Sequence, residues 1–203
     1  MTVIIDYNVG NIGSILNMLK KIGVQADITS DKSKIEKADK IILPGVGSFD
    51  TGMNNLNDLG IIELLNEKVI SQKTNVLGIC LGMQLLTEGS EEGILSGLGW
   101  IKGNVRKFSF EPSSQLKVPH MGWDYVTQKK DSFLFKNMFE SPKFYFVHSY
   151  YVNLINNSEV LTTTTCGIEF CSALEKENVF GVQFHPEKSH KYGMQLLKNF
   201  ADL

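Results

Sequence analysis

The sequence predicts an α/β fold: a mostly parallel central sheet covered by helices, with an additional antiparallel β-rich part. Two observations carry this. Through the first half, short β-branched runs alternate with apolar residues at helical spacing, as strand–helix–strand units do. After about Gly89 the strand-like runs follow one another with only turns between them, which reads as hairpin or mixed sheet.

TVIIDY (Thr2–Tyr7) is a β-branched run, read as a buried strand. From Asn11 to Ile22 the apolar positions Ile12, Ile15, Leu16, Leu19 and Ile22 fall on one helical face. QADITS is a second strand, KSKIEKA a short polar helix, and KIILPG (Lys40–Gly45) a third strand that Pro44 is expected to stop. Asp50 to Ile70 is helical with a break at NDLG, and NVLGI is a fourth strand leading into a helix from Leu81. The later runs GWIKGNVRKFSF, VPHMGWDYV, KFYFVHSYYVN, VLTTTTC, IEFCSALEKE and NVFGVQFH each read as a strand. HKYGMQLLKNFADL closes the chain as a helix, with Tyr192, Leu196, Leu197 and Phe200 on one face. No Ser/Gly linker or repeat interrupts the 203 residues, so a single domain over residues 1–203 is expected.

Composition narrows the class. At 42% hydrophobic and 21% charged, with a net charge of −2, the chain reads as a soluble globular protein with no basic face for nucleic acid. The N-terminus lacks the pattern of a signal peptide, and no run approaches the roughly 20 apolar residues of a membrane span. Cys80, Cys166 and Cys171 are odd in number and four histidines show no paired-cysteine spacing. A reduced, cytoplasmic, metal-free and cofactor-free protein is expected.

One stretch carries chemistry. In NVLGICLGMQLL, Cys80 sits between Gly78 and Gly82, where a strand turns into a helix. This is the cysteine counterpart of the nucleophile elbow, which presents a side chain at the carboxyl edge of a sheet. The positive end of the following helix favours a thiolate, and the Leu81 N–H can bind a developing oxyanion. A merely structural buried cysteine would not require the paired glycines. A thiolate nucleophile needs a base and a group to orient it. In VQFHPEKS, His185 follows an apolar strand and Glu187 lies two residues on; His120 and His148 are competing bases without that neighbouring carboxylate. LPGVGSFD follows a strand, and its glycines let a backbone N–H of Val46 or Gly47 approach a ligand as a second oxyanion donor.

Together PGVGSF, GICLGMQLL and VQFHPEKS, in this order, resemble the class I, triad-type glutamine amidotransferases over essentially the whole chain. The resemblance implies a flavodoxin-like sheet. It implies Cys80 as nucleophile, His185 as base then acid, Glu187 as orienting carboxylate, and Val46 and Leu81 as oxyanion-hole amides. Gly47, Gln84 and Glu92, with backbone at Ser149 and Tyr150, would hold the substrate, L-glutamine. DYNVGNI, HMGW and HPEKS further resemble the branch that passes ammonia to a cyclase (synthase) subunit in histidine biosynthesis, as a heterodimer. Asn11, Trp123 and Lys188 would then face the partner; a core position is the other reading of Trp123. Gly13 and Asp124 stand where that branch often has arginine and asparagine, and the ending EKSHKYGMQLLKNF is similar to paralogues serving bacterial surface-sugar pathways. A non-catalytic module of the same fold and another cysteine hydrolase, such as a peptidase, are the remaining alternatives.

Overall fold

The computed structural model describes residues 1–111, 113 and 115–203. Its first half runs β1 (Thr2–Ile5), α1 (Ile12–Lys21), β2 (Ala26–Thr29), α2 (Lys32–Glu36), β3 (Lys40–Gly45), α3 (Phe49–Asp58), α4 (Ile62–Asn66), β4 (Asn75–Cys80) and α5 (Leu81–Leu85). The second half adds β5 (Gly89–Ser90), β6 (Gly103–Lys107), β7 (His120–Tyr125), β8 (Thr127–Gln128), β9 (Lys143–His148), β10 (Tyr150–Leu154), β11 (Val160–Cys166), β12 (Ile168–Lys176), β13 (Val179–Val182) and α6 (His190–Asp202). The large sheet has the order β2-β1-β3-β4-β13-β12-β10-β6-β5. It is parallel from β2 to β13 and antiparallel from β13 through β12 and β10 to β6. A separate two-stranded antiparallel sheet joins β7 to β9.

Alternation along the parallel strands explains the two layers. On β1, Val3 and Ile5 enter one core, with Leu43, Val76 and Leu56, while Ile4 enters the other, with Ile42, Leu77, Ile15 and Leu19. Both faces are covered, so the strand is an unbroken apolar run. α6 has no side-chain cap at its start, a deficit of about 1 kcal/mol. It buries Leu196, Leu197 and Phe200 completely, each contributing roughly 1.5–3 kcal/mol, so packing decides its stability.

Three details depart from the sequence expectation. β3 runs through Pro44 to Gly45 instead of stopping there. Its pairing with β1 ends at Ile42, so Pro44 lies where only the β4 side is laddered and its missing N–H costs no bond on the other. KFYFVHSYYVN is two strands, not one: β9 belongs to the small sheet and β10 to the large one, with the crossing at Ser149. The helix after Cys80 is five residues long, so the field at its start is that of little more than one turn.

A candidate active site at the β4–α5 elbow

Cys80 ends β4 with φ 53° and ψ −108°, backbone that costs on the order of 1–3 kcal/mol and must be held by its surroundings. The flanking glycines are part of that hold. A Cβ on Gly82 would stand 1.7 Å from the Leu43 carbonyl oxygen, and one on Gly78 would stand 2.7 Å from the Gly82 carbonyl. Their hydrogens let α5 lie directly on β3 and β4, which presses the turn into its shape. The Cys80 side chain is buried except for its opening onto the cleft.

His185 leaves β13 and bonds to the small sheet, its N–H donating to the Tyr145 carbonyl at 2.8 Å. Its Nδ1 meets Glu187 Oε1 at 2.8 Å, and both side chains are only 2% exposed. That pairing assigns the Nδ1 hydrogen and turns Nε2 away from Glu187. Nε2 is buried without a completed hydrogen bond, as catalytic contacts often are before substrate binds. Burial alone would lower the His185 pKa; Cys80 and then Glu187 outweigh it and raise it to about 10. The imidazole therefore holds its proton at neutral pH, beside the sulfur.

A cleft of about 330 Å³, at the small end of ligand-site volumes (about 300–1,000 Å³), opens over Cys80. Val46, Gly47, Leu81, Gln84, Glu92, Ser149 and Tyr150 all line it, with Pro119, Val147 and His148 on the wall. Gly47 has φ 111°, backbone that a side chain would strain. Glu92 spends Oε2 on the Phe49 N–H at 2.8 Å, which fixes the carboxylate at the rim. The carbonyls of Ser149 and Tyr150 are already used, by the Phe108 N–H and by Gln84 and His148. Gln84 Nε2 donates to Tyr150 and to Gln183.

His148, weighed as a base, is instead the cleft wall. Its Nδ1 donates to the Tyr150 carbonyl at 2.7 Å, its Nε2 meets His120 Nδ1 at 3.0 Å, and His120 Nε2 meets Asp124 at 3.3 Å. Three contacts need three hydrogens, and two neutral imidazoles carry two. With both rings neutral one of the three contacts lacks its hydrogen, where an asparagine at Asp124 would supply it. Burial first, then His120 and His185, push the His148 pKa down to about 3 against the bond to Tyr150. The unfolded chain accepts that proton near the ordinary histidine value, about 6.5. Stability is accordingly expected to fall between pH 6.5 and about 3, with a slope approaching roughly 1.4 kcal/mol per pH unit. His148→Phe should flatten this limb in urea unfolding followed from pH 7 to pH 4; an unchanged slope would show that another group carries it.

Outside the cleft, Met121, Trp123 and Tyr125 alternate along β7 and point outward, at 65%, 42% and 59% exposure. Trp123 is thus a surface residue, stacked on His190 with Lys143 above its ring. Lys188 is exposed and lies over Tyr145, the cross-strand partner of Trp123; Asn11 is exposed at the start of α1. Three large apolar side chains in a row form a patch of the kind that marks a protein interface.

Nothing in the local spacing points to Gln183, Pro119 or Val147 at the site. Gln183 stands two residues before His185, and only the register of β13 against β4 brings it to Cys80.

An elbow cysteine, a buried imidazole–carboxylate pair and a small cleft on a mostly parallel sheet are the arrangement found in a triad-type cysteine hydrolase. Residues 3–203 match the glutamine amidotransferase class-I family, and the chain belongs to it. It is 56% identical over 98% of both chains to imidazole glycerol phosphate synthase subunit HisH 2 of Methanococcus maripaludis. It is 47% identical over the whole of both chains to the HisH 2 subunit of Pseudomonas aeruginosa. Among solved structures, a glutamine amidotransferase superimposes with a TM-score of 0.74 at 19% identity over 99% of both chains, a likeness of fold.

Proposed function

We propose that the chain is the glutaminase subunit of imidazole glycerol phosphate synthase. It hydrolyses L-glutamine to glutamate and ammonia and hands the ammonia to a separate cyclase subunit for histidine biosynthesis. The single observation that supports it most is the elbow cysteine beside the buried His185–Glu187 pair, at the edge of a small cleft.

In this reading the Cys80 sulfur attacks the side-chain carboxamide carbon. The oxyanion that forms is held by the N–H groups of Val46 and Leu81, where losing one donor typically costs about 100- to 1,000-fold. Protonated His185 gives its Nε2 proton to the departing nitrogen, and Glu187 stabilises and orients the ring throughout. Water then attacks the thioester with His185 as base, freeing glutamate and regenerating the thiolate. Glu92 receives the substrate ammonium group, and the Gln84 oxygen and Gly47 align the rest. The fold serves as one domain, and the Met121–Trp123–Tyr125 stripe, flanked by Asn11 and Lys188, seats the cyclase subunit. The cytoplasm is the compartment this chemistry calls for.

Asp124 and the EKSHKYGMQLLKNF ending favour a second reading, in which the same ammonia goes to a cyclase-like synthase of a surface-sugar pathway. Glutamate release from glutamine is measured with each of the two synthase partners. Stimulation well above the isolated chain by the histidine-pathway cyclase is expected. Stimulation by the other synthase alone transfers the function to the second reading, and no release with either removes both.

A further inference from the structure

We propose that Gln183 is a further positioning residue of the nucleophile, donating a side-chain N–H to the Cys80 sulfur to hold it as a thiolate aimed into the cleft. Gln183 is completely buried, and its backbone N–H is fixed on the Ser172 carbonyl. Its Nε2 lies 3.6 Å from Cys80 Sγ. A buried glutamine is an expensive way to fill space, because an apolar residue of the same length packs there without polar groups to satisfy.

The direction of its amide follows from its neighbours. The Tyr150 carbonyl can only accept, so the Gln84 atom at 3.2 Å from it must be the NH₂ group. That same nitrogen lies 3.1 Å from Gln183, so the Gln183 atom facing it is the oxygen, and the NH₂ of Gln183 faces sulfur. Besides His185, two polar groups reach Sγ. The Val147 carbonyl, at 4.0 Å, would accept from a thiol, and Gln183, at 3.6 Å, donates to a thiolate. The nearer one is the donor, and a donor to an ionised acceptor makes the stronger bond. Gln183 approaches Sγ itself and acts before any oxyanion forms, which separates its part from that of the Val46 and Leu81 amides.

The kinetic consequence rests on the glutaminase reading; the effect on the sulfur does not. Gln183→Glu keeps the acceptor for Gln84 but sets a carboxyl group, and its charge, against the sulfur, so Gln183→Met is the variant that removes the donor alone. In the full chain, alkylation of Cys80 by iodoacetamide is followed against pH. The pH of half-maximal reaction is expected to rise by about one to two units, as removal of a charge-assisted donor requires. With the synthase partner present, kcat should fall about 10- to 100-fold while KM stays within about twofold. Gln183→Met, of similar length and without the donor, should shift alkylation in the same direction by less. An unshifted alkylation profile in both folded variants overturns the proposal, whether or not the chain releases glutamate. If neither variant folds, the wild type decides: the Gln183 side-chain amide resonances must move when Cys80 is alkylated or titrated, and resonances that stay still overturn it.

Discussion

Cys80→Ser is expected to reduce glutamate release by about 10,000-fold or more, with the fold intact. Serine is slightly smaller than cysteine and fits the same strained turn, so unfolding should not account for the loss. The hydroxyl is a far weaker acid than the thiol, so no ready anion stands at the elbow to attack the carboxamide. Cys80 is also the chief influence raising the His185 pKa, so the substitution should bring the histidine down from about 10. Two measurements check this: glutamate release in the presence of the synthase partner, and the His185 imidazole titration by NMR. Release at the wild-type rate would remove Cys80 as nucleophile, and an unmoved titration would separate the imidazole from the sulfur.

Gly82→Ala carries the largest expected effect on stability. The added methyl would stand 1.7 Å from the Leu43 carbonyl oxygen and 2.8 Å from its carbon, both parts of the rigid β3 backbone. No rotamer relieves a Cβ clash, so α5 must lift off β3, and its buried face with Leu81, Met83 and Leu85 lifts with it. Overpacking commonly costs about 1–3 kcal/mol, and a clash with immovable backbone exceeds that, enough to unfold most of a marginally stable chain. Denaturant unfolding should show loss of the cooperative transition or a sharply lowered midpoint. Gly13→Ala, at a helical glycine with open space around it, is the control and should leave the midpoint unchanged or slightly raised, alanine being the better helix former. Equal midpoints for both variants would mean that α5 does not rest on β3 as described.

The features legible in the sequence are those written in short local spacing. Cys80 between two glycines announces a turn that only small neighbours permit, and His185 with Glu187 two residues on announces an oriented imidazole. The alternating half of the fold was equally open, because parallel strands buried on both faces read as unbroken apolar runs. What depended on cross-strand placement was hidden. KFYFVHSYYVN has one continuous apolar character, and nothing local says that residue 149 passes from one sheet to another. Gln183 looks like any polar residue in a strand until β13 is set beside β4. His148 carries the same side chain as a base, and only its burial among Phe108, Phe146 and Phe170 makes it a wall.

The tie between His185 and Tyr145 has a mechanical consequence. Ser189 reinforces it, accepting the Tyr145 N–H and donating to the His185 carbonyl. Cys80 rides on the large sheet, and His185, just beyond β13 of that sheet, is also clasped to β9, whose neighbour β7 carries the exposed apolar row. The exposed row on β7 is therefore joined to the imidazole by an unbroken line of backbone hydrogen bonds, from β7 to β9 and from Tyr145 to His185.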